Sequence, residues 1–316
     1  MIENNQEVIF PINQICIEGP DCSGKTSLYK GIHERTNFRW NIHDRSYLSA
    51  VCYAVQYGRD EEHRREGFVR EMLNLNNKVI LLVPPEEVLV ERLKFRGDDY
   101  QNLTSIKVLR NIFAREAEKL KNFPNVLVIE EALQPEDLIV KCVEWLRTLE
   151  NVSPIKAGRS VRDIVRALDD DATAEIRLVC DKNSDFSSVL SHPREGHYYE
   201  EIQKQVDSII SDEIAGKNPY GVPQGLNSRR FYYSSNSCLS SIHFLVKKET
   251  LKVLATLRST DVERNASIDL KFLCHLSNHV ANRYNLPVKK VDLTCKFNCA
   301  HLRKDLPEWQ KNEELE

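Results

Sequence analysis

The residues Gly19-Pro20-Asp21-Cys22-Ser23-Gly24-Lys25-Thr26 carry the sharpest chemistry in this chain. They fit the pattern G-x-x-x-x-G-K-[ST], whose glycines let backbone N–H groups turn inward around phosphate oxygens. A helix that starts at such a turn adds its positive N-terminal end. Lys25 can reach the β- and γ-phosphates of a nucleoside triphosphate, and the Thr26 hydroxyl can ligate Mg²⁺. ATP and Mg²⁺ are therefore the cofactors expected, cradled by Gly19, Asp21, Cys22, Ser23, Gly24, Lys25, Thr26 and Ser27.

Two further groups could complete a transfer site. Asp44-Arg45 follows a short apolar stretch. At the carboxyl end of a parallel strand it shares a rim with the phosphate loop. A carboxylate there can hold Mg²⁺ or accept a proton from an acceptor hydroxyl, and an arginine can clamp an acceptor phosphate. Away from such a rim the pair is an ordinary surface ion pair. Arg92 and Arg96 are four residues apart, so a helix puts them on one face. Aimed at the γ-phosphate they would neutralise charge during transfer, with Gly97 as the hinge of a lid. Lys25, Asp44, Arg45, Arg92 and Arg96 are the catalytic candidates, and Thr26 and Asp44 the metal ligands.

The elements that must position these groups follow from periodicity. Residues 14–17, 38–42, 79–83 and 126–129 read as strands, the last two as buried parallel ones. Residues 26–34, 85–96, 106–121 and 135–149 read as helices. Strands alternating with helices predict a parallel sheet covered on both faces, over residues 8–150. Residues 151–158, with Pro154 and Gly158, read as a linker. Beyond it, residues 159–316 predict an α+β domain, with helices at 198–214 and 270–284. Antiparallel strands are expected at 231–233, 242–246 and 251–257, the last two joined by the turn Lys247-Lys248-Glu249-Thr250.

Composition sets the outer bounds. The chain has 316 residues, 41 % apolar and 29 % charged, the make-up of a globular protein of roughly two domains. A formal net charge of −3 argues against a passive nucleic-acid coat, while leaving room for a local basic site. No apolar run approaches a membrane span, and the first residues lack the basic start and apolar stretch of a signal peptide. The nine cysteines are odd in number and scattered. Together these features predict a reduced, cytoplasmic chain. Cys295 and Cys299, downstream of Cys274-His275, do not have the spacing of a common zinc knuckle.

The first region resembles the thymidylate kinase and deoxynucleoside kinase group over about residues 12–148. The likeness rests on Glu18-Gly19-Pro20-Asp21-Cys22-Ser23-Gly24-Lys25-Thr26, on Asp44-Arg45-Ser46-Tyr47-Leu48-Ser49, on Val83-Pro84-Pro85-Glu86-Glu87 with the Arg92–Arg96 stretch, and on Asn122-Phe123-Pro124-Asn125-Val126. The resemblance implies a three-layer α/β P-loop kinase domain that phosphorylates a deoxynucleotide or deoxynucleoside with ATP and Mg²⁺. One departure is that only residues 27–43 separate the loop from Asp44. The family has a longer helical insert there, which covers the acceptor, so a more open site and a larger acceptor are expected.

In the second region Arg258-Ser259 follows a strand and forms a compact phosphate grip, with Ser228-Arg229-Arg230 upstream. Cys238 opens a strand whose hairpin partner ends at Arg258. Over about residues 195–303 this combination resembles thymidylate synthase and the deoxycytidylate hydroxymethylases. The resemblance implies nucleotide contacts from Arg258, Ser259, Asp261 and His301, and Arg229 and Arg230 reaching across a homodimer. It places Cys238 at the nucleophile's position and Asp269 at the base-reading one. Asp269 favours cytosine there, because a carboxylate accepts from its amino group and cannot donate to uracil's O4. Ser237 stands where that family has Pro, and Arg303 where it has Tyr. The family's N-terminal portion has no match here, which leaves the domain's activity open. The expected function is an ATP-dependent kinase for a pyrimidine deoxynucleotide with a nucleotide-binding partner domain. The alternatives are a kinase for a hydroxymethylated pyrimidine in DNA, and a nucleotide-sensing module. Such a pairing of domains would suit a virus that remodels its DNA precursors.

Overall fold

In the computed structural model, which describes residues 8–97, 101–150, 152–168, 172–217 and 231–302, the chain divides into two units. The N-terminal unit is Ile12–Glu150, and the C-terminal unit joins Met1–Pro11 to Asn151–Glu316. The first strand, β1 (Val8–Ile9), pairs antiparallel with Val179 and Cys180 and so belongs to the C-terminal unit. The sequence reading, which starts the first domain at residue 8, differs here because two apolar residues cannot reveal which sheet they join.

The N-terminal unit runs β2 (Gln14–Glu18), α1 (Lys25–Thr36), β3 (Ile42–Asp44), α2 (Tyr47–Gln56), α3 (Glu62–Leu73), β4 (Asn77–Leu82), α4 (Glu86–Arg96), α5 (Leu103–Leu120), β5 (Val126–Ile129) and α6 (Pro135–Glu150). Its strands are all parallel, in the order β3-β2-β4-β5. Ile15, Ile17, Ile80 and Leu82 on one sheet face pack against Leu28 and Ile32 of α1 and Leu138, Val143 and Leu146 of α6. Helices α2, α3 and α5 belong to the opposite side, where α3 meets β4 and α5 meets β5. This is the three-layer α/β arrangement that the alternation predicts. The strand expected at 38–42 starts only at Ile42. Asn37 and Phe38 have φ of 51° and 55°, which ends α1 and forbids extended backbone there.

The C-terminal unit contains α7 (Pro154–Leu168), β6 (Ala172–Asp181), a short 3₁₀ turn (Ser187–Ser191), α8 (Gly196–Ile214), β7 (Tyr232–Ser234), β8 (Leu239–Lys247), β9 (Thr250–Leu257), β10 (Thr260–Asp261), α9 (Ala266–Arg283) and β11 (Lys290–His301). The mixed sheet has the order β1-β6-β11-β9-β8-β7, and β10 pairs with the end of β11. Its two longest strands, β6 and β11, are absent from the sequence reading. The linker expected at 151–158 is mostly helix. Lys156 N–H donates to Ser153 Oγ at 3.2 Å, the pattern of an N-cap, and Pro154 suits the first helical position. Gly158 is no breaker either: a Cβ there would lie 2.3 Å from Ser267 Cα, so glycine lets α7 approach the backbone of α9. No helix among the described residues is long and apolar enough to cross a membrane.

Candidate functional site

The turn between β2 and α1 is shaped by two glycines. Gly19 has φ of 140°, and a Cβ on it would sit 2.3 Å from the Leu82 carbonyl oxygen at the end of β4. Gly24 caps α1 with φ of 103°, a conformation that side-chain-bearing residues rarely adopt. Between them Cys22 also has positive φ, 65°. The Lys25 ammonium lies inside this turn and donates to the carbonyls of Gly19 at 2.8 Å and Pro20 at 2.7 Å. Burial, and then the charge of Arg45, lowers its pKa to about 8. The Ser23 hydroxyl is buried with no partner among the described residues. Arg92 reaches across from α4, its Nη1 3.2 Å from the carbonyl oxygens of both Cys22 and Ser23.

Asp44 ends β3 in register with Ile17, so it stands on the same rim, and its side chain is exposed. Arg45 follows with φ of 79°, left-handed for a residue with a side chain. Its Nη2 donates to Asp21 Oδ1 at 2.6 Å, and its guanidinium lies 5.1 Å from the centre of the Tyr53 ring. Tyr53 donates to the other Asp21 oxygen at 2.7 Å. Thr26 and Ser27 are exposed on the first turn of α1. Arg92 lies over the loop, and Arg96 is the exposed last residue of α4, one turn further on.

The sequence reading gave no role to the buried carboxylate beneath this rim. Glu18 is the last residue of β2 and fully buried, which pushes its pKa up. It is bonded to the Ser46 hydroxyl at 2.6 Å and accepts from the Ser46 N–H and from the Ser49 hydroxyl. The available signal was an acid closing an otherwise apolar strand.

The C-terminal unit has its own polar cavity of about 290 Å³, lined by His192, Arg194, Glu195, Asp261, Arg264, Asn265 and His301. Parallel pairing of β10 and β11 sets Asp261 beside His301. Asp261 Oδ1 accepts from Glu263 N–H at 3.1 Å. Asp261 Oδ2 and His301 Nδ1 are buried with no partner among the described residues. Burial raises the Asp261 pKa. The backbones of Cys238 and Arg258 meet, with Arg258 N–H donating to the Cys238 carbonyl at 2.8 Å, and both residues are exposed. Ser259 is half-buried beside them. Asp269 is a correction. Its oxygens accept from Tyr199 and Thr260, each at 2.8 Å, in the interior of the unit, so it faces protein rather than a base. Arg229 and Arg230 lie outside the described residues.

No known family matches the chain, and no curated protein matches it in sequence. Among solved structures, it is similar to the YorR protein of Bacillus subtilis, solved with phosphorylated GDP, at 20 % identity and a TM-score of 0.35, over 43 % of this chain and 96 % of that one. It is similar to M. mycoides deoxyadenosine kinase with bound dCTP at 12 % identity and a TM-score of 0.30, over 43 % of this chain and 99 % of the kinase. A third likeness is to T4 phage thymidylate synthase, at 21 % identity and a TM-score of 0.25, over 35 % of this chain and 39 % of the synthase. Each likeness is partial and weak, and the functional reading rests on the geometry of the two sites.

Proposed function

We propose that this chain is an ATP-dependent phosphotransferase acting on a pyrimidine deoxynucleotide. The observation that supports this most is the convergence of Lys25, Arg92, Asp44 and the Asp21–Arg45 pair around one turn that only glycine can form. A triphosphate in the turn would give the Ser23 hydroxyl the partner it lacks. Lys25 would exchange the Gly19 and Pro20 carbonyls for phosphate oxygens. Arg92 adds positive charge where negative charge builds up during transfer. Thr26 and Asp44 are exposed oxygen donors, which suits Mg²⁺, an ion that keeps several waters and binds through few protein ligands. When bound, Mg²⁺ would neutralise the β- and γ-phosphate oxygens. On the acceptor side, Arg45 can leave Asp21 to hold the nucleotide's phosphate, whose ionised oxygen takes the phosphoryl group without a base; Asp44 would take a proton only from a hydroxyl acceptor.

The cavity of the C-terminal unit favours a second, nucleotide-holding role. Two arginines and two polar atoms without partners among the described residues, in one cavity, suit an anionic, hydrogen-bonding ligand. Arg258 and Ser259 would extend this grip. The position of Asp269 gives no support to a preference for cytosine.

Transfer from radiolabelled ATP, with pyrimidine mononucleotides and hydroxymethylated duplex DNA as competing acceptors, tests the proposal. Label on a mononucleotide is the expected result, and label on DNA alone would replace the acceptor class. Lys25→Ala should cut turnover at least about 100-fold, the scale of losing one preorganised charge donor, with the fold intact by circular dichroism. Near-normal turnover in that variant would remove the phosphotransferase reading.

A further inference from the structure

We infer that the folded N-terminal unit keeps Glu18 as a neutral acid that donates to the Ser46 hydroxyl, which in turn donates to Glu71, and that this proton positions Arg45. Ser46 Oγ lies 2.6 Å from Glu18 Oε1 and 2.7 Å from Glu71 Oε2. Both are distances of true O–H···O bonds. A hydroxyl has one proton, so it donates to only one of two carboxylates. The second contact must be made by a proton on a carboxyl group. Without it, two acceptors would face each other at 2.7 Å or less in a partly buried site.

Among the described residues, the other donors to the two carboxylates are placed elsewhere. Glu18 already receives the Ser46 N–H and the Ser49 hydroxyl. Glu71 Oε1 receives Gln14 Nε2 at 2.9 Å and the Cys16 thiol at 3.3 Å. Burial resists ionisation of Glu18, and more strongly than Lys25, facing it from the start of α1, favours it. Burial and then Glu71 push the Cys16 thiol up, so Cys16 stays a donor to the pair. From α2, Cys52 also senses Glu18 and is likewise pushed up by burial. His43 and Arg45 face Glu71 across a cleft of about 360 Å³, which gives the proton a route to water. The proton therefore sits on Glu18, the fully buried member of the pair.

Its consequence lies one residue away. Arg45 is held at φ of 79°, a strained conformation that persists only when its surroundings enforce it. The enforcing contacts are Arg45 N–H to the Ile17 carbonyl at 3.0 Å and the double grip of Glu18 on Ser46. Loss of the proton sets Glu18 and Glu71 against each other and breaks one Ser46 bond, which frees the turn that aims Arg45. The positioning role rests on the reading of Arg45 as an acceptor-side residue; the proton itself does not.

Infrared spectra of the full chain with isotope-labelled glutamate provide the test. At neutral pH they should show the carbonyl stretch of a neutral carboxylic acid, lost as pH rises and absent in Glu71→Gln. In that variant an amide N–H replaces the proton and cannot titrate. Hydrogen exchange at residues 45–49 reads positioning without turnover. Above the Glu18 transition wild type should exchange faster than Glu71→Gln at the same pH, and below it the two should agree. In transfer assays at saturating ATP, acceptor KM should rise at alkaline pH in wild type and stay low in Glu71→Gln. A wild type without a neutral carboxyl band, or a band unchanged in both Glu71→Gln and Glu18→Gln, would overturn the neutral Glu18. Identical exchange at every pH would overturn the positioning. Absence of transfer, with band and exchange as expected, would overturn the kinase reading and leave the proton standing.

Discussion

Around the phosphate-binding turn, Lys25 is bonded to two carbonyls, Asp21 to Arg45 and Tyr53, and Glu18 to Ser46 and Ser49. In the cavity of the C-terminal unit, Asp261 Oδ2 and His301 Nδ1 are buried and lack partners among the described residues. A buried polar atom left unpaired costs about 1–3 kcal/mol, a cost that a polar ligand can offset. Apart from the buried Ser23 hydroxyl, the first site is therefore held by its own residues and exchanges contacts when a ligand arrives. The second keeps unmet hydrogen-bonding capacity inside an otherwise ordered sheet.

The sharpest way to break this comparison uses one glycine from each unit. A methyl group at Gly19 would meet the Leu82 carbonyl at 2.3 Å, and one at Gly158 would meet Ser267 Cα at 2.3 Å. Gly19→Ala should abolish transfer, because it deforms the phosphate turn itself. Gly158→Ala should prise α7 from α9 and destabilise the C-terminal unit by about 1–3 kcal/mol, the usual cost of overpacking. Transfer assays beside thermal unfolding separate the two effects. Loss of transfer in Gly158→Ala alone would reverse the assignment of site and scaffold.

The two units were also unequally legible. The phosphate turn is written in nine consecutive residues, 18–26, so the local pattern carries its geometry. Helix α3 was not read, because among its residues only Phe68 and Met72 are buried and its many charges hide the periodicity. Strand β6 alternates buried and more exposed positions along Ala172–Asp181, a period-two pattern legible in the sequence. Strand β11 is masked in the sequence by Cys295 and Cys299, residue types that point to metal chemistry before they point to a sheet. In α7, Pro154 and Gly158 read as breakers, although one begins the helix and the other permits close packing. Resemblance singled out Asp261 and His301, which do meet across β10 and β11. It gave Asp269 a ligand role because Tyr199, its partner, lies 70 residues away and joins it only when α8 packs against α9.

Tyr199→Phe sharpens the contrast between satisfied and unsatisfied acids in the C-terminal unit. It removes one of the two hydroxyls that serve Asp269 and should destabilise the unit by about 1–3 kcal/mol. Burial raises the Asp269 pKa to about 6, above its unfolded value of about 3.9. A raised acid stabilises the fold below its unfolded pKa, and that contribution is lost as pH rises toward the folded value. The Tyr199 bond favours the ionised form, so its loss raises the Asp269 pKa further. Melting curves should show a larger deficit at about pH 8 than at about pH 5, where the carboxyl is mostly protonated. Equal deficits at both would mean that Tyr199 contributes packing alone.

The smallest expected effect is confined to the first site. Burial lowers the Lys25 pKa to about 8, so above that pH the free protein increasingly holds a neutral amine. A bound triphosphate needs the ammonium, and binding must then take up a proton from solvent. Affinity for the nucleotide should fall as pH rises through about 8, approaching tenfold per pH unit, or about 1.4 kcal/mol. Lys25→Arg keeps its charge across this range, so its affinity should be nearly flat even if weaker overall. Calorimetry in buffers of different ionisation enthalpy would show wild type absorbing a proton on binding above pH 8 and Lys25→Arg absorbing none. A flat affinity in wild type between about pH 7 and 9 would mean that Lys25 stays charged inside its turn, with the Gly19 and Pro20 carbonyls sufficient to hold it so.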